Sequence, residues 1–233
     1  MDVRRTAAIA VWCLAGAALP ATAGEIEGQV QLAGPVPQPS YVVVDRDQAM
    51  CGNASKRSES LIVSPEGFVQ NAVVFVPDAQ GDGEAAAALA TLDQQRCEFV
   101  PHVVCVRQGA AVTFLNSDQG VHEGRCFREA EMLTRFTMPP KARPVQRTFE
   151  APGPVLVRCG LHPWMHAWIY VAGKGRYTVT DTKGRFSLAN VSPGTYQLHI
   201  WHETLGTHIE TVNVGTATSR VAVHLSRQEE RKP

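Results

Sequence analysis

The chain has 233 residues, of which 44% are apolar, and it carries equal numbers of basic and acidic side chains. This length allows one or two domains with a substantial hydrophobic core. Because the net charge is zero and the sequence contains no basic patch or long charge run, nucleic-acid binding is not expected. The 19 glycines and 15 prolines favour many short strands joined by turns.

Residues 1–23 have the pattern of a secretory signal peptide. Arg4 and Arg5 form a charged start, residues 7–19 are apolar, and residues 21–23 form a small-residue cleavage site. The apolar stretch is short for a bilayer span, and an uncleaved anchor is the alternative. We therefore expect a periplasmic protein that has no membrane span once the signal is removed.

Residues 24–95 are predicted to form an N-terminal β segment. Polar and apolar residues alternate over 25–32, which is typical of a half-buried strand. Further strands are expected at 41–44, 61–63 and 71–76. Residues 84–93 are rich in alanine and are predicted to form a short helix or a loose linker.

The most informative motif is the spacing C-x2-H-x2-M formed by Cys159, His162 and Met165. A thiolate, an imidazole and a weak axial thioether are the ligands of a mononuclear blue-copper centre, which needs one more imidazole. His122 is the main candidate, because it follows a predicted strand at 112–115. His102 is a rival for this role. The competing interpretation is a buried structural cysteine with a coincidental histidine and methionine nearby.

The residues before the motif indicate how the cysteine is placed. Val155, Val157 and Cys159 occupy alternate positions of a predicted strand, so they should share one face of it. The thiol would then point into the core, and His162 and Met165 would follow in a loop that folds back over the metal.

The ligand loop, with Pro163 and Trp164 inside it, resembles that of amicyanin, a member of the cupredoxin family. Residues 97–203 resemble the plastocyanin-like proteins often described as methylamine utilization proteins. The resemblance implies a cupredoxin Greek-key β-sandwich over residues 96–173. It also implies one mononuclear type 1 copper, bound by His122, Cys159, His162 and Met165.

Two further expectations come from the same resemblance. His162 should reach the surface, surrounded by an apolar docking patch that includes Pro163 and Trp164. In these families the first histidine is usually followed by an asparagine that ties the two ligand loops together. Glu123 stands there in this chain, so we expect a different fastening and a carboxylate beside the copper.

Residues 174–227 are predicted to form a second, small β-sandwich. The run T-D-x-x-G-x-F-x-L, followed by V-x-P-G-x-Y-x-L, spans residues 180–198 and resembles the carboxypeptidase regulatory-like, transthyretin-like module. Strands of the N-terminal segment could complete either sandwich. The copper-binding unit is therefore either inserted into the second sandwich or placed before it in series. Residues 228–233 are predicted to be a solvated tail.

Cysteine usage fits an oxidising compartment. Of the six cysteines, Cys13 lies in the signal, and an odd count in an exported protein calls for one special thiol. Cys159 would supply it. The remaining four cysteines can pair in three ways, and we favour Cys51–Cys97 with Cys105–Cys126, because the second bond would staple the strand before the site to the loop after His122.

Two groups of histidines remain outside the motif. A second metal site could be formed by Trp201, His202 and Glu203, with His199 and His208 nearby. Such a site needs three or four convergent ligands. The alternative is an interface in which Trp201 packs against the copper-binding unit. His166 is expected at the surface or between the domains.

The function predicted from these residues is one-electron transfer between redox proteins, such as a c-type cytochrome or a periplasmic dehydrogenase. A role in amine oxidation follows from the resemblance alone. The alternative is copper handling, meaning storage, delivery or sensing. A copper enzyme is not expected, because Arg158 and Gly160 flank Cys159 and leave no adjacent histidine that could lead to a second copper. A structural or carbohydrate-binding β protein would leave the ligand loop unexplained.

Overall fold

The chain is built almost entirely of strands. The computed structural model describes residues 23–52, 55–77, 79 and 90–227, so the predicted tail and the predicted signal, except for Ala23, lie outside the described residues. The first half contains β1 (Gly24–Leu32), β2 (Tyr41–Val43), α1 (Gln48–Cys51), β3 (Ser55–Arg57), β4 (Val73–Val76), β5 (Ala90–Gln95), β6 (Glu98–Val100), β7 (Val103–Val106), β8 (Ala111–Asn116) and β9 (His122–Arg128). The second half contains β10 (Glu131–Met138), β11 (Val145–Thr148), β12 (Gly153–Cys159), β13 (His166–Val171), β14 (Arg176–Val179), β15 (Arg185–Val191), β16 (Gly194–His202), β17 (Gly206–Val214) and β18 (Thr218–Leu225).

Two of the sheets enclose the first core. One has the order β10-β9-β12-β13-β7 and the other β11-β8-β5-β6. Their inward side chains meet in one apolar cluster that includes Leu92, Phe114, Val157 and Cys159. The prediction of a helix or linker at 84–93 is wrong for its last residues, because β5 pairs in parallel with β8 and buries Leu92.

Two other sheets enclose the second core. Their orders are β15-β1-β18 and β14-β4-β16-β17, so β1 and β4 pair with strands from the C-terminal part of the chain. This core contains Ile26, Val74, Leu198 and Val223. The N-terminal segment thus contributes strands to both sandwiches: β5 to the first, and β1 and β4 to the second. The all-β prediction is confirmed, while the domain boundaries stay a prediction.

The two sandwiches pack against each other through a third apolar cluster. In β4, Val74 and Val76 face the second core, while Val73 and Phe75 face this third cluster. Successive side chains of a strand point to opposite faces, so a strand covered on both faces is buried throughout, as β4 is. Trp201 of β16 lies in the same cluster and packs on Tyr170 of β13, with ring centroids 5.1 Å apart.

The described part of the chain has no helix that is long and apolar enough to cross a membrane. Its one described helix, α1, has four residues. It belongs to the segment after β2, which lies against one end of the first sandwich and is held there by a disulfide bond between Cys51 and Cys97. That end of the sandwich is where the predicted metal ligands meet.

Candidate metal centre

Three of the predicted ligands converge at the end of the first sandwich. The Sγ atom of Cys159 lies 3.7 Å from Nδ1 of His122 and 3.6 Å from Nδ1 of His162. The two Nδ1 atoms are 3.0 Å apart. All three side chains are buried. The three ligand atoms therefore form a compact triangle of the size that a single metal ion could bridge.

The strands explain why these side chains meet. His122 begins β9 and Cys159 ends β12, and the two strands are antiparallel neighbours with Cys159 opposite Gly124. The alternation in β12 is as predicted: Val155, Val157 and Cys159 are all buried. A strand start and a strand end at the same edge of the sheet thus bring the thiol and the imidazole together.

His162 and Met165 lie in the loop between β12 and β13. Two backbone hydrogen bonds close this loop, from the Met165 N–H to the His162 carbonyl (3.0 Å) and from the Cys159 N–H to the Met165 carbonyl (3.1 Å). The Met165 side chain is buried in the same core as Cys159. This arrangement folds the loop back over the thiol, as expected, and the role of all four residues as metal ligands stays a prediction.

A buried carboxylate holds the ring of His122. Asp118 accepts a hydrogen bond from Nε2 of His122 at 2.9 Å, and it also accepts the backbone N–H groups of Arg96 (2.5 Å) and Cys97 (2.8 Å). Because Nε2 carries the proton, the lone pair of Nδ1 faces Cys159. Burial lowers the pKa of His122, and the hydrogen bond to Asp118 opposes this effect only in part. The net lowering favours a neutral ring whose Nδ1 lone pair is free to bind a metal.

The expectation that His162 reaches the surface is wrong. His162 is 1% exposed, because the segment that contains α1 covers it. Its Nε2 atom lies 3.0 Å from Oδ2 of Asp47, which directly precedes α1 and has a side chain that is 58% exposed. The surface next to the site is instead formed by Val121 and Leu161, which precede the two histidines and are both exposed.

Glu123 fastens the site in a different way from an asparagine side chain. Its backbone carbonyl accepts the N–H of Gly160 at 2.8 Å, which joins the loop after Cys159 to β9. Its carboxylate turns to Arg125 (2.8 Å) and Arg135 instead. The hydrogen bond from Arg125 holds the pKa of Glu123 below its usual range. The expected carboxylate is present, but two guanidinium groups neutralise its charge.

One of the two predicted disulfides is wrong. Cys51–Cys97 is formed, whereas Cys105 and Cys126 are free thiols. Cys105 lies on β7 and Cys126 on β9, with β12 and β13 between these strands in the sheet. Three strand spacings separate them by about 14 Å, which is beyond the reach of a disulfide. Burial raises the pKa of the Cys126 thiol to about 12, so it stays protonated.

The other histidines lie outside the triangle of Cys159, His122 and His162. His102 and His166 both approach the carboxylate of Glu203, at the junction of the two sandwiches. His199 stacks on Phe75, and His208 pairs with Glu210, so neither converges with Glu203. Trp201 packs against β13 of the first sandwich, which agrees with the interface interpretation.

Sequence reasoning did not find Asp118 and Asp47. Asp118 could have been suspected, since it lies four residues before His122 in the turn after β8. That turn is shaped by Asn116, whose Oδ1 accepts the N–H of Asp118 at 3.1 Å. Asp47 lies 115 residues from His162 in the chain, and no local pattern connects the two.

The donor set fits copper better than harder cations. One thiolate and two imidazoles in a buried site suit copper or zinc, whereas calcium and magnesium prefer oxygen ligands. The outer hydrogen bonds from both imidazoles to carboxylates are the partners that metal-binding histidines usually have. The residues present therefore fit the metal that the sequence predicted.

No protein-family model matches the chain, and no curated protein matches it. Among solved structures, a purple cupredoxin from Nitrosopumilus maritimus is 19% identical over 35% of this chain and 98% of its own, with a TM-score of 0.31. Amicyanin from Paracoccus versutus is 16% identical over 42% of this chain and 96% of its own, with a TM-score of 0.33. A copper-containing nitrite reductase from Thermus scotoductus is 25% identical over 35% of this chain, with a TM-score of 0.31, and only 22% of its own length is covered. TM-scores this low do not assign a family or a ligand set to the chain.

Proposed function

We propose that this protein is a periplasmic one-electron carrier with a single type 1 copper held by His122, Cys159, His162 and Met165. The observation that carries the proposal is the buried triangle of one sulfur and two imidazole nitrogens. Copper bound there would cycle between Cu(II) and Cu(I).

The surrounding residues support a carrier that changes little during electron transfer. Cys159 and His122 belong to paired strands, and two backbone hydrogen bonds close the loop of His162 and Met165. Donor atoms held in this way keep their positions whichever charge the metal has. The same burial keeps solvent away from the thiolate and favours an outer-sphere electron carrier.

Electrons would enter or leave through the apolar surface beside the site. Val121 is 43% exposed and Leu161 is 39% exposed, and each directly precedes a histidine of the triangle in the chain. Weak redox encounters bury little surface, so a small apolar patch is sufficient for docking. The partners we expect are a c-type cytochrome or a periplasmic dehydrogenase, and amine oxidation is the pathway suggested by the sequence resemblance.

The Leu161→Asp variant tests this docking surface. A charge in the centre of the contact should slow electron exchange with a c-type cytochrome about tenfold, which corresponds to roughly 1.4 kcal/mol. Stopped-flow measurement of copper oxidation by the cytochrome gives the rate, and the optical spectrum verifies that the copper site is intact.

Leu133→Asp is the matched control. Leu133 is equally apolar and 36% exposed, but it lies near the turn of the β9–β10 hairpin, at the far end from His122. Equal rates for both variants and the wild type would contradict docking at Leu161.

Copper handling, the second function predicted from the sequence, would instead require a labile Cu(I) site without the strong visible band of copper–thiolate bonding.

A further inference from the structure

We propose that His102, His166 and Glu203 form a second metal site, for one divalent transition ion of the zinc or copper(II) class, at the junction of the two sandwiches. This inference does not rest on the proposed function of the first site. The three residues come from the loop before β7, the start of β13 and the turn after β16, which are far apart in the sequence.

The ligand atoms converge on one carboxylate. Nε2 of His102 contacts Oε1 of Glu203, and Nε2 of His166 lies 3.3 Å from Oε2 of the same side chain. The three ligand atoms all lie within 4.8 Å of one another. The two imidazole rings meet edge to face, with centroids 4.9 Å apart, and their Nε2 atoms face the two oxygens of the same carboxylate.

The chemistry of the donors selects the class of ion. Two imidazoles and one carboxylate form the donor set of many catalytic zinc and non-haem metal sites. Calcium and magnesium prefer oxygen ligands alone, and Cu(I) prefers thiolates and thioethers. A borderline divalent ion would leave coordination positions free, on the side where the Ser60 hydroxyl lies 3.2 Å from Nε2 of His166.

A second observation concerns the other nitrogen of His102. The ring is 3% exposed, and its Nδ1 atom has no hydrogen-bond partner among the described residues. The nearest acidic group is Oε2 of Glu59, 3.6 Å away. A carboxylate behind the non-ligating nitrogen of a histidine is the usual outer partner at metal sites, and Asp118 holds the same position behind His122.

A small cavity lies beside the cluster. Its volume is about 20 Å³, and Glu59, His102, Met165 and His166 line it, among others, but Glu203 does not. A cavity of this size holds about one water molecule. The alternative is an ion-pair network that only ties the sandwiches together, and such a network would bind no Zn²⁺.

Titration of the copper-loaded protein with Zn²⁺ in a calorimeter tests the site. We expect one Zn²⁺ per chain, with the copper content unchanged. Glu203→Gln and His166→Gln should each weaken binding by more than the 10- to 100-fold that loss of an outer partner causes. His208→Gln is the matched control, because His208 forms an exposed pair with Glu210 of the same chemistry, and it should bind Zn²⁺ as the wild type does.

A double variant separates the two sites. Cys159→Ser/His122→Gln removes two donors of the first site, and it should still bind one Zn²⁺ that is lost when Glu203→Gln is added. Absence of Zn²⁺ binding in the wild type, or equal affinity in the wild type and the folded Glu203→Gln variant, would overturn the proposal and leave an ion-pair network. Thermal unfolding of each variant verifies that it is folded.

Discussion

Each imidazole of the candidate centre has one nitrogen near the Cys159 sulfur and the other near a carboxylate. The two carboxylates differ in setting. Asp118 is buried and receives two backbone N–H groups, whereas Asp47 is mostly exposed. A carboxylate fixed by several hydrogen bonds orients a ring more firmly than one that can exchange with water. His122 is therefore the rigid side of the site and His162 the more adjustable side.

Asp118→Asn should weaken copper binding about 10- to 100-fold. The amide carries no charge, and its N–H₂ group faces either the backbone N–H of Arg96 or that of Cys97, so the turn that orients His122 is disturbed. Competition with a chelator measures the affinity.

Asp45→Asn is the control for this change, because Asp45 is exposed and forms a surface ion pair with its neighbour Arg46. We expect its affinity to equal that of the wild type. An unchanged affinity in Asp118→Asn would contradict the orienting role of this carboxylate.

At the scale of elements, the segment from Asp47 to Cys51 acts as a cover over His162. The disulfide Cys51–Cys97 closes a loop of 46 residues and fixes this cover to the turn between β5 and β6. The Trp164 indole donates to the Cys97 carbonyl at 3.1 Å, so the ligand loop and the disulfide are also connected.

The double variant Cys51→Ala/Cys97→Ala should lower the free energy of unfolding by about 4 kcal/mol, the value that chain entropy gives for a loop of this length. Urea unfolding of the protein without metal measures it. The variant should also bind copper less tightly, because the cover of His162 is released. Cys105→Ala, which removes a free thiol, is the control. A loss of stability no larger than that of the control would contradict the stapling role.

Local pattern predicted the elements that form the triangle, because alternation in β12 and ligand spacing are both read from neighbouring residues. The order of strands in a sheet has no such local signal. The predicted bond between Cys105 and Cys126 is not formed, because β12 and β13 lie between their strands. The contact of Asp47 with His162 also has no local signal in the sequence, since only the tertiary fold brings the two residues together.

At the scale of the whole molecule, the two sandwiches meet through buried aromatic side chains and a group of histidines and carboxylates. His202 is 1% exposed at this junction. Its Nδ1 accepts the N–H of Thr204 at 3.2 Å, and its ring bonds the backbone of Gln70. Burial lowers its pKa to about 4, although the nearby Glu203 carboxylate opposes the shift. The ring is therefore neutral in the folded protein at neutral pH.

This burial predicts a loss of stability in mild acid. Between pH 6.5 and 4 the unfolded chain protonates His202 while the folded chain excludes the proton, so unfolding becomes more favourable as the pH falls. The loss of stability from His202 reaches up to about 3 kcal/mol near pH 4.

Glu203 affects stability at lower pH than His202 does. Burial raises the pKa of Glu203, but hydrogen bonds from His102 and His166 outweigh this effect and lower the pKa to about 2.

His202→Gln should flatten the dependence of stability on pH in this window, since glutamine does not titrate. Urea unfolding of the metal-free protein at several pH values measures the slope. His224→Gln, at an exposed position of β18, should keep the slope of the wild type. A His202→Gln variant with the wild-type slope would contradict the burial of a neutral ring at the junction.

In the proposed carrier site, Cys159 and two imidazoles hold one copper ion. The most direct test is the optical and EPR spectrum of residues 24–233 after addition of Cu(II), for the wild type, Cys159→Ser and the control Cys126→Ser. We predict an intense visible thiolate-to-copper band with narrow hyperfine splitting in the wild type and in Cys126→Ser, and its loss in Cys159→Ser. Absence of the band in the wild type, with stoichiometric Cu(I) binding instead, would contradict the carrier and support copper handling.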